Sequence, residues 1–181
     1  MSDTKRIKVS EEVKTIDDYN VINYKTFILP NWTRQTFGIR TKRHFTHVFA
    51  LTPDNKVIIN KQFRPGPEDY FFETPGGYLN EWEEPIVWAS RELLEETWYT
   101  WDFIQIAKRY MSPYQDATHN IFFATNCKKI SDQKLDEWED GLEVILVDLK
   151  DIWEIIHWNN CLQREILYKC LDYIYDFQSK C

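Results

Sequence analysis

Alternating hydrophobic and polar positions predict β-strands along much of the chain. The predicted strands lie within residues 20–40, 44–51, 56–63, 103–111, 120–126 and 143–149. Turn-forming residues separate several of these runs, as at Pro30-Asn31 and at residues 52–55. The first 20 or so residues are polar and charged, and they show no such pattern.

A change to helical spacing marks residues 84–97, where apolar side chains recur every three or four positions. Pro85 suits a first helical turn, and Glu83 and Glu84 favour the positive end of the helix dipole. A second helix-rich region runs from about Leu149 to the C-terminus. Together these elements predict an α+β fold with a mixed sheet, one central helix and a C-terminal helix.

Length and charge narrow the function classes. A chain of 181 residues is expected to form one domain, with room for a small extension. Its 22 Lys and Arg against 29 Asp and Glu give a net charge of −7, which argues against nucleic acid or an anionic membrane as the main partner. No apolar run approaches the ~20 residues of a membrane span, and the N-terminus lacks the apolar core of a secretion signal. The four irregularly spaced cysteines indicate reduced thiols in a cytoplasmic protein.

Three carboxylates share one face of the central helix, because Glu92, Glu95 and Glu96 stand at positions i, i+3 and i+4. Like charges at this spacing repel, and the last helical turn disfavours anions. Hard divalent cations relieve both effects, and they suit activation of water and phosphoryl displacement. The plainer interpretation is a solvated acidic helix face.

A longer pattern surrounds these acids. It consists of Gly77, five residues, Glu83, seven residues, Arg91-Glu92-Leu93, one residue and Glu95-Glu96. This spacing resembles the Nudix box, which then has a second glycine where this chain has Trp98. The flanking sequences KQFRPG and ETPGG are similar to those of the ADP-ribose pyrophosphatase branch of the Nudix hydrolases, and the resemblance extends over roughly residues 20–175.

The resemblance implies an α/β/α sandwich, with an N-terminal β-segment at 1–42 and the Nudix domain at 43–181. It implies Mg²⁺-dependent hydrolysis, with Mn²⁺ as an alternative metal, of a nucleoside diphosphate linked to another moiety. The expected substrate is ADP-ribose, cleaved to AMP and ribose 5-phosphate. Family members are typically homodimers that exchange their N-terminal β-segments, so a homodimer is expected here.

The resemblance also implies roles for individual residues. The metal ligands are expected to be the carbonyl of Gly76 and the side chains of Glu92, Glu95 and Glu96. Catalytic proton transfer or a further metal ligand is expected from Glu95 or from the late-loop acids Glu137 and Glu139. Substrate contacts are expected from Arg64 and Glu73. Gly77, Glu83 and Arg91 match structural positions of the motif, with Glu83 and Arg91 as an ion pair.

Two alternatives remain open from the residues alone. The first is hydrolysis of another nucleotide sugar or of a dinucleotide. The second is a nucleotide-binding or regulatory module that has the Nudix fold without catalysis. The intact glutamates argue against this second alternative, and Trp98 argues for it.

Tryptophan stands where glycine is expected. The chain has eight Trp and only five Gly, and Trp98 replaces the second glycine of the motif. Tryptophan also stands in turn-like sequences where glycine would be expected, at Trp32, Trp82, Trp101 and Trp138. A residue after the helix commonly adopts the left-handed conformation, which costs a non-glycine residue roughly 1–2 kcal/mol.

These positions motivate a hypothesis about decoding. Some bacterial lineages read the codon UGA as glycine, whereas other translation tables read it as tryptophan. The natural protein would then have glycine at most of these sites. The codons decide the matter, because UGG at Trp82 and Trp98 would end the idea.

Overall fold

The computed structural model describes residues 6–17, 20–41, 43–80, 82–130, 141–157 and 160–178. The chain divides into two compact units. The first draws on residues 1–44 and 109–119, and the second on residues 45–108 and 120–181.

The first unit is built on a three-stranded antiparallel sheet in the order β1-β2-β3. The strands are β1 (Ile7–Asp17), β2 (Asn20–Ile28) and β3 (Arg34–Thr41). β1 lies within residues 1–42, where the resemblance implied a β-segment although the local pattern of polar and charged residues predicts no strand. Its residues are exposed throughout, and backbone pairing with β2 from Ile7↔Ile28 onward stabilises the strand where the sequence has no buried face to reveal it.

The second unit holds a seven-stranded sheet. Its main path runs β10-β5-β4-β9-β8, with β6 paired to β5 and β7 paired to β4. The strands are β4 (Phe45–Leu51), β5 (Lys56–Arg64), β6 (Asp69–Glu73), β7 (Gly76–Tyr78), β8 (Tyr99–Tyr110), β9 (Thr118–Lys129) and β10 (Glu143–Asp148). The helices are α1 (Pro85–Thr97), α2 (Ile152–His157) and α3 (Arg164–Gln178).

Helix α1 covers one face of this sheet. Ala89 and Leu93 of α1 pack against Val48, Ala50 and Ile58 of the two central strands. Leu93 has no exposed surface, and burying such a side chain stabilises the fold by roughly 1.5–3 kcal/mol. Pro85 begins the helix, as the sequence pattern predicted.

Helices α2 and α3 cover the opposite face. Phe49, Val57 and Ile59 alternate with the residues that face α1, and they pack with Ile155 of α2 and Leu167 of α3. Because successive strand residues point to opposite sides, both faces of the central strands are apolar. The predicted α+β class and α/β/α sandwich are therefore confirmed.

Several tryptophans occupy unusual backbone positions. Trp32, Trp82 and Trp98 have φ values of 64°, 78° and 56°, within the left-handed region that favours glycine. The prediction that Trp98 ends the helix in this conformation is confirmed. Trp101, by contrast, lies in β8 rather than in a turn, and Trp138 lies outside the described residues.

The described cysteines are free thiols, as the sequence predicted. Cys127, Cys161 and Cys170 are buried and form no disulfide. Burial raises the pKa of Cys127 to about 12 and that of Cys161 to about 11. Both side chains are therefore neutral near pH 7.

The helices among the described residues are too short or too polar to cross a membrane.

Candidate functional site

Two glycines place the backbone of β7 directly against its neighbours. A Cβ on Gly76, whose φ is 153°, would lie 2.2 Å from the carbonyl oxygen of Thr46 on the adjacent strand β4. A Cβ on Gly77 would lie 2.8 Å from Oε2 of Glu92 on helix α1. The absence of side chains at these two positions therefore lets the strand approach the acidic helix closely.

Glu96 is held by two neutral donors. Its Oε2 accepts hydrogen bonds from the Nδ2 of Asn60, at 2.9 Å, and from the backbone N–H of Gly76, at 3.0 Å. Only 6% of Glu96 is exposed. A carboxylate this buried needs such donors, since an unpaired buried charge is strongly unfavourable.

Arg91 balances the negative charge of the other two acids of the helix, Glu92 and Glu95. Its Nη2 donates to Oε1 of Glu92 at 3.0 Å, and its Nη1 donates to Oε2 of Glu95. Its Nε lies 3.8 Å from Oε1 of Glu83, so the Glu83–Arg91 ion pair expected from the motif is present in this geometry. The guanidinium also stacks 3.9 Å from the ring centroid of Trp88.

Arg64 and Glu73, each expected to contact substrate, pair with one another. The Nε and Nη2 of Arg64 each lie 2.5 Å from one oxygen of the Glu73 carboxylate. Hydrogen bonding to Glu73 raises the pKa of Arg64, and Gln163 donates from Nε2 to Oε2 of Glu73 at 3.4 Å. Glu73 is 5% exposed, and its carboxylate makes a bidentate contact with the Arg64 guanidinium.

Two polar residues of β5 escaped the sequence reasoning. Asn60 and Gln62 are both buried, and with Arg64 they occupy every second position of the strand. The signal was available, because polar residues at i, i+2 and i+4 follow an apolar run and so share one face of the strand. Buried polar groups need partners, which directs attention to that face.

The late-loop acids Glu137 and Glu139 lie outside the described residues.

The donor set suits a hard divalent cation. It offers carboxylate and backbone oxygens only, which Mg²⁺ and Mn²⁺ prefer over softer metals. Glu92 and Glu96 converge on Gly76-Gly77 from adjacent turns of one helix. Within the described part of the chain, no three His, Cys, Asp or Glu side chains form a ready-made metal cluster. The absence of such a cluster agrees with the ion pairs that Arg91 forms with Glu92 and Glu95.

The amino-acid sequence is similar to those of known proteins. The profile of the NUDIX domain family matches residues 11–168. Over 111 residues, the chain is 34% identical to the ADP-ribose pyrophosphatase of Bacillus subtilis, an alignment that covers 60% of each chain. The chain therefore spans less than two thirds of that relative.

Shorter matches involve two further proteins. The methanol dehydrogenase activator of Bacillus methanolicus is 44% identical over 52 residues, which cover 29% of this chain and 28% of that protein. The ADP-sugar pyrophosphatase of Mus musculus is 49% identical over 43 residues, which cover 24% and 20%, respectively.

A solved structure shares the fold over nearly its whole length. The crystal structure of an ADP compounds hydrolase superimposes with a TM-score of 0.82 and covers 97% of both chains. Because the two sequences are only 17% identical, this likeness bears on the fold alone.

Proposed function

Since this chain belongs to the NUDIX domain family, we propose that it is a divalent-cation-dependent hydrolase that cleaves the diphosphate of ADP-ribose, releasing AMP and ribose 5-phosphate. The observation that carries the proposal is the convergence of the Glu92 and Glu96 carboxylates on Gly76-Gly77. The similarity to an ADP-ribose pyrophosphatase and to an ADP-sugar pyrophosphatase supports the substrate class.

The metal would be held by Glu92, Glu95, Glu96 and the carbonyl of Gly76. Mg²⁺, or Mn²⁺ in its place, supplies a Lewis acid and an activated water when bound. Glu95 is the most exposed of the three helical acids. Leaving its ion pair with Arg91 therefore costs it less free energy than the loss of partners would cost Glu92 or Glu96. It remains a candidate proton acceptor, together with Glu137 and Glu139.

Arg64 is proposed to bind the substrate diphosphate. Glu73 fixes one edge of its guanidinium by two hydrogen bonds, which limits the directions in which the group can point. A planar guanidinium matches phosphate oxygens better than a flexible ammonium does. Glu73 is then a positioning residue for Arg64.

We also propose a cytoplasmic homodimer formed through the N-terminal segment. Four apolar side chains of β1 are between 41% and 61% exposed, namely Ile7, Val9, Val13 and Ile16. Exposed apolar residues along one strand are typical of a surface that another chain covers. Light scattering on the full chain and on the double variant Val13→Lys, Ile16→Lys of β1 tests this assembly. An unchanged dimer in the variant would contradict the use of this surface.

Activity is tested by product release from a panel of ADP-ribose, other nucleoside-diphosphate sugars and a dinucleotide, with and without Mg²⁺. Glu96→Gln should lower kcat by more than the ~10–100-fold loss that is typical for partners outside the first coordination sphere. Glu143→Gln is the matched control, because Glu143 is an exposed acid on β10 that pairs with Lys61 at 3.1 Å. It should retain full activity.

Two results would redirect the proposal. Preferred cleavage of another panel member would keep the hydrolase and change its substrate. Nucleotide binding without cleavage, in the unsubstituted chain and also in Trp98→Gly, would indicate a binding module instead.

A further inference from the structure

We propose that Asn60 is a positioning residue that holds Glu96 for the divalent cation and thereby sets the metal affinity of the site. The proposal rests on the function proposed above, because it assumes that Glu96 is a metal ligand. Neither the Nudix motif nor its flanking sequences include Asn60, which lies on strand β5.

Asn60 controls the orientation of the Glu96 carboxylate. Its Nδ2 and the backbone N–H of Gly76 donate to the same oxygen, Oε2, at 2.9 and 3.0 Å. Neither donor takes Oε1. Two donors from different strands thus fix the rotation of the carboxylate and determine where its second oxygen points.

The neutral charge of Asn60 matters as much as its position. Glu92 and Glu95 share the positive charge of Arg91, whereas Asn60 and Gly76 offer the Oε2 of Glu96 a side-chain amide and a backbone N–H. Neutral donors orient a carboxylate without cancelling its charge, so the attraction for a cation is retained. A lysine at position 60 would compete with the metal for the same oxygen.

The burial of Asn60 argues against a purely structural role. Only 3% of the residue is exposed, and its Oδ1 accepts no hydrogen bond from the described residues. An unsatisfied buried acceptor costs roughly 1–3 kcal/mol. Ile58 occupies the same face of β5 two residues earlier, so an apolar residue would suit the sheet at position 60 without this cost.

The test measures Mn²⁺ binding to the full chain, from the electron paramagnetic resonance signal of free Mn²⁺. Asn60→Leu removes the donor at similar volume, and it should raise the Kd for Mn²⁺ by ~10–100-fold. The Mn²⁺ concentration that gives half-maximal hydrolysis should rise in parallel, while kcat at saturating Mn²⁺ changes much less. A residue that only supports the fold would not produce this pattern.

Asn120→Leu is the matched control. Asn120 is also a buried asparagine, but its Nδ2 donates to the carbonyl of Phe45, at 3.4 Å, and not to a helical acid. Its substitution should leave the Kd for Mn²⁺ unchanged. Asn60→Val provides a second variant without the donor, in case leucine does not fit.

The outcomes separate this inference from the function on which it rests. If the unsubstituted chain shows no Mn²⁺ binding that Glu96→Gln weakens, the proposed metal site fails. If that binding is present and Asn60→Leu keeps the natural Kd, only the role of Asn60 fails. Loss of the thermal unfolding transition in both Asn60 variants, with Asn120→Leu still folded, would make Asn60 a structural residue and also contradict the proposal.

Discussion

Gly76, in the strand β7 that precedes helix α1, and Trp98, which ends the helix, make the same demand on the backbone and meet it differently. Before the helix, Gly76 has a φ of 153°, and after it Trp98 has a φ of 56° and a ψ of 39°. Both conformations favour glycine, but only the first position has it. At Gly76 a neighbour adds a second reason to the positive φ, since any Cβ would strike the Thr46 carbonyl. At Trp98 the reason is local strain, which a non-glycine residue can bear at a cost of roughly 1–2 kcal/mol.

The difference shows that a position can require glycine for two separable reasons. A collision with a neighbouring backbone excludes every other residue, whereas an unfavourable φ only penalises them. Trp32 and Trp82 belong to the second kind, and their side chains are 82% and 98% exposed. Trp88, by contrast, lies in helix α1 and is buried, so its indole contributes to packing.

The largest expected effect is that of Gly76→Ala. The new Cβ would lie 2.2 Å from a backbone oxygen that cannot rotate away, so the free energy of unfolding should fall by at least ~4 kcal/mol. Denaturant unfolding measures this change. Gly141→Ala is the control, because Gly141 also has a positive φ, of 85°, but no heavy atom of the described residues lies within 4 Å of its added Cβ. Equal effects at the two positions would contradict the collision argument.

Gly77→Ala should affect the site more than the fold. Its Cβ would meet the end of the Glu92 side chain, which can move, so stability should fall by only about 1 kcal/mol. The displaced Glu92 should weaken Mn²⁺ binding roughly tenfold. Titration with Mn²⁺ and a thermal melt on the same sample separate the two effects. An unchanged Kd would show that Glu92 reaches the metal from its displaced position, or does not bind it.

Trp98→Gly should raise the free energy of unfolding by about 1 kcal/mol. Glycine relieves the left-handed strain while keeping the bond from the residue 98 N–H to the Leu94 carbonyl, at 2.8 Å. The indole Nε1 of Trp98 is buried without a hydrogen-bond partner among the described residues, so its removal leaves no donor unpaired.

Asn55→Gly is the control for this change, because asparagine already tolerates its φ of 58° and little gain is expected. A loss of stability in Trp98→Gly would show that packing of the indole outweighs the strain.

Trp82→Gly and Trp32→Gly should have the smallest effects, each a gain of about 0.5–1 kcal/mol. Their exposed indoles contribute little burial, but glycine also adds freedom to the unfolded chain and offsets part of the gain. Thermal unfolding of both single variants and the double variant measures the effect. Additive gains are expected, since the two turns are separate in sequence.

The backbone conformations allow the codon hypothesis to predict which tryptophans are encoded by UGA. UGA is expected at Trp32, Trp82 and Trp98, which have positive φ, and UGG at Trp88 and Trp153, which lie in helices. Reading the gene at these five codons is the measurement. UGG at Trp82 and Trp98 would end the hypothesis and leave the strain as a genuine property of the protein.

Local patterns predicted most of the fold. The helix expected at 84–97 is observed as Pro85–Thr97, and the hairpin strands expected at 44–51 and 56–63 match β4 and β5 within a residue. These elements bury regular apolar faces, so their periodicity is visible in the sequence. The local pattern does not predict β1, because its residues stay exposed and its stability comes from pairing with β2.

The sequence by itself determined which acids share one face of a helix, because that face follows from 3.6 residues per turn. Only the tertiary structure decided their partners. Asn60 reaches Glu96 across 36 positions of the chain, and Arg64 pairs with Glu73 through two hydrogen bonds. Such contacts depend on how strands and a helix pack side by side, and no spacing along one element encodes that arrangement.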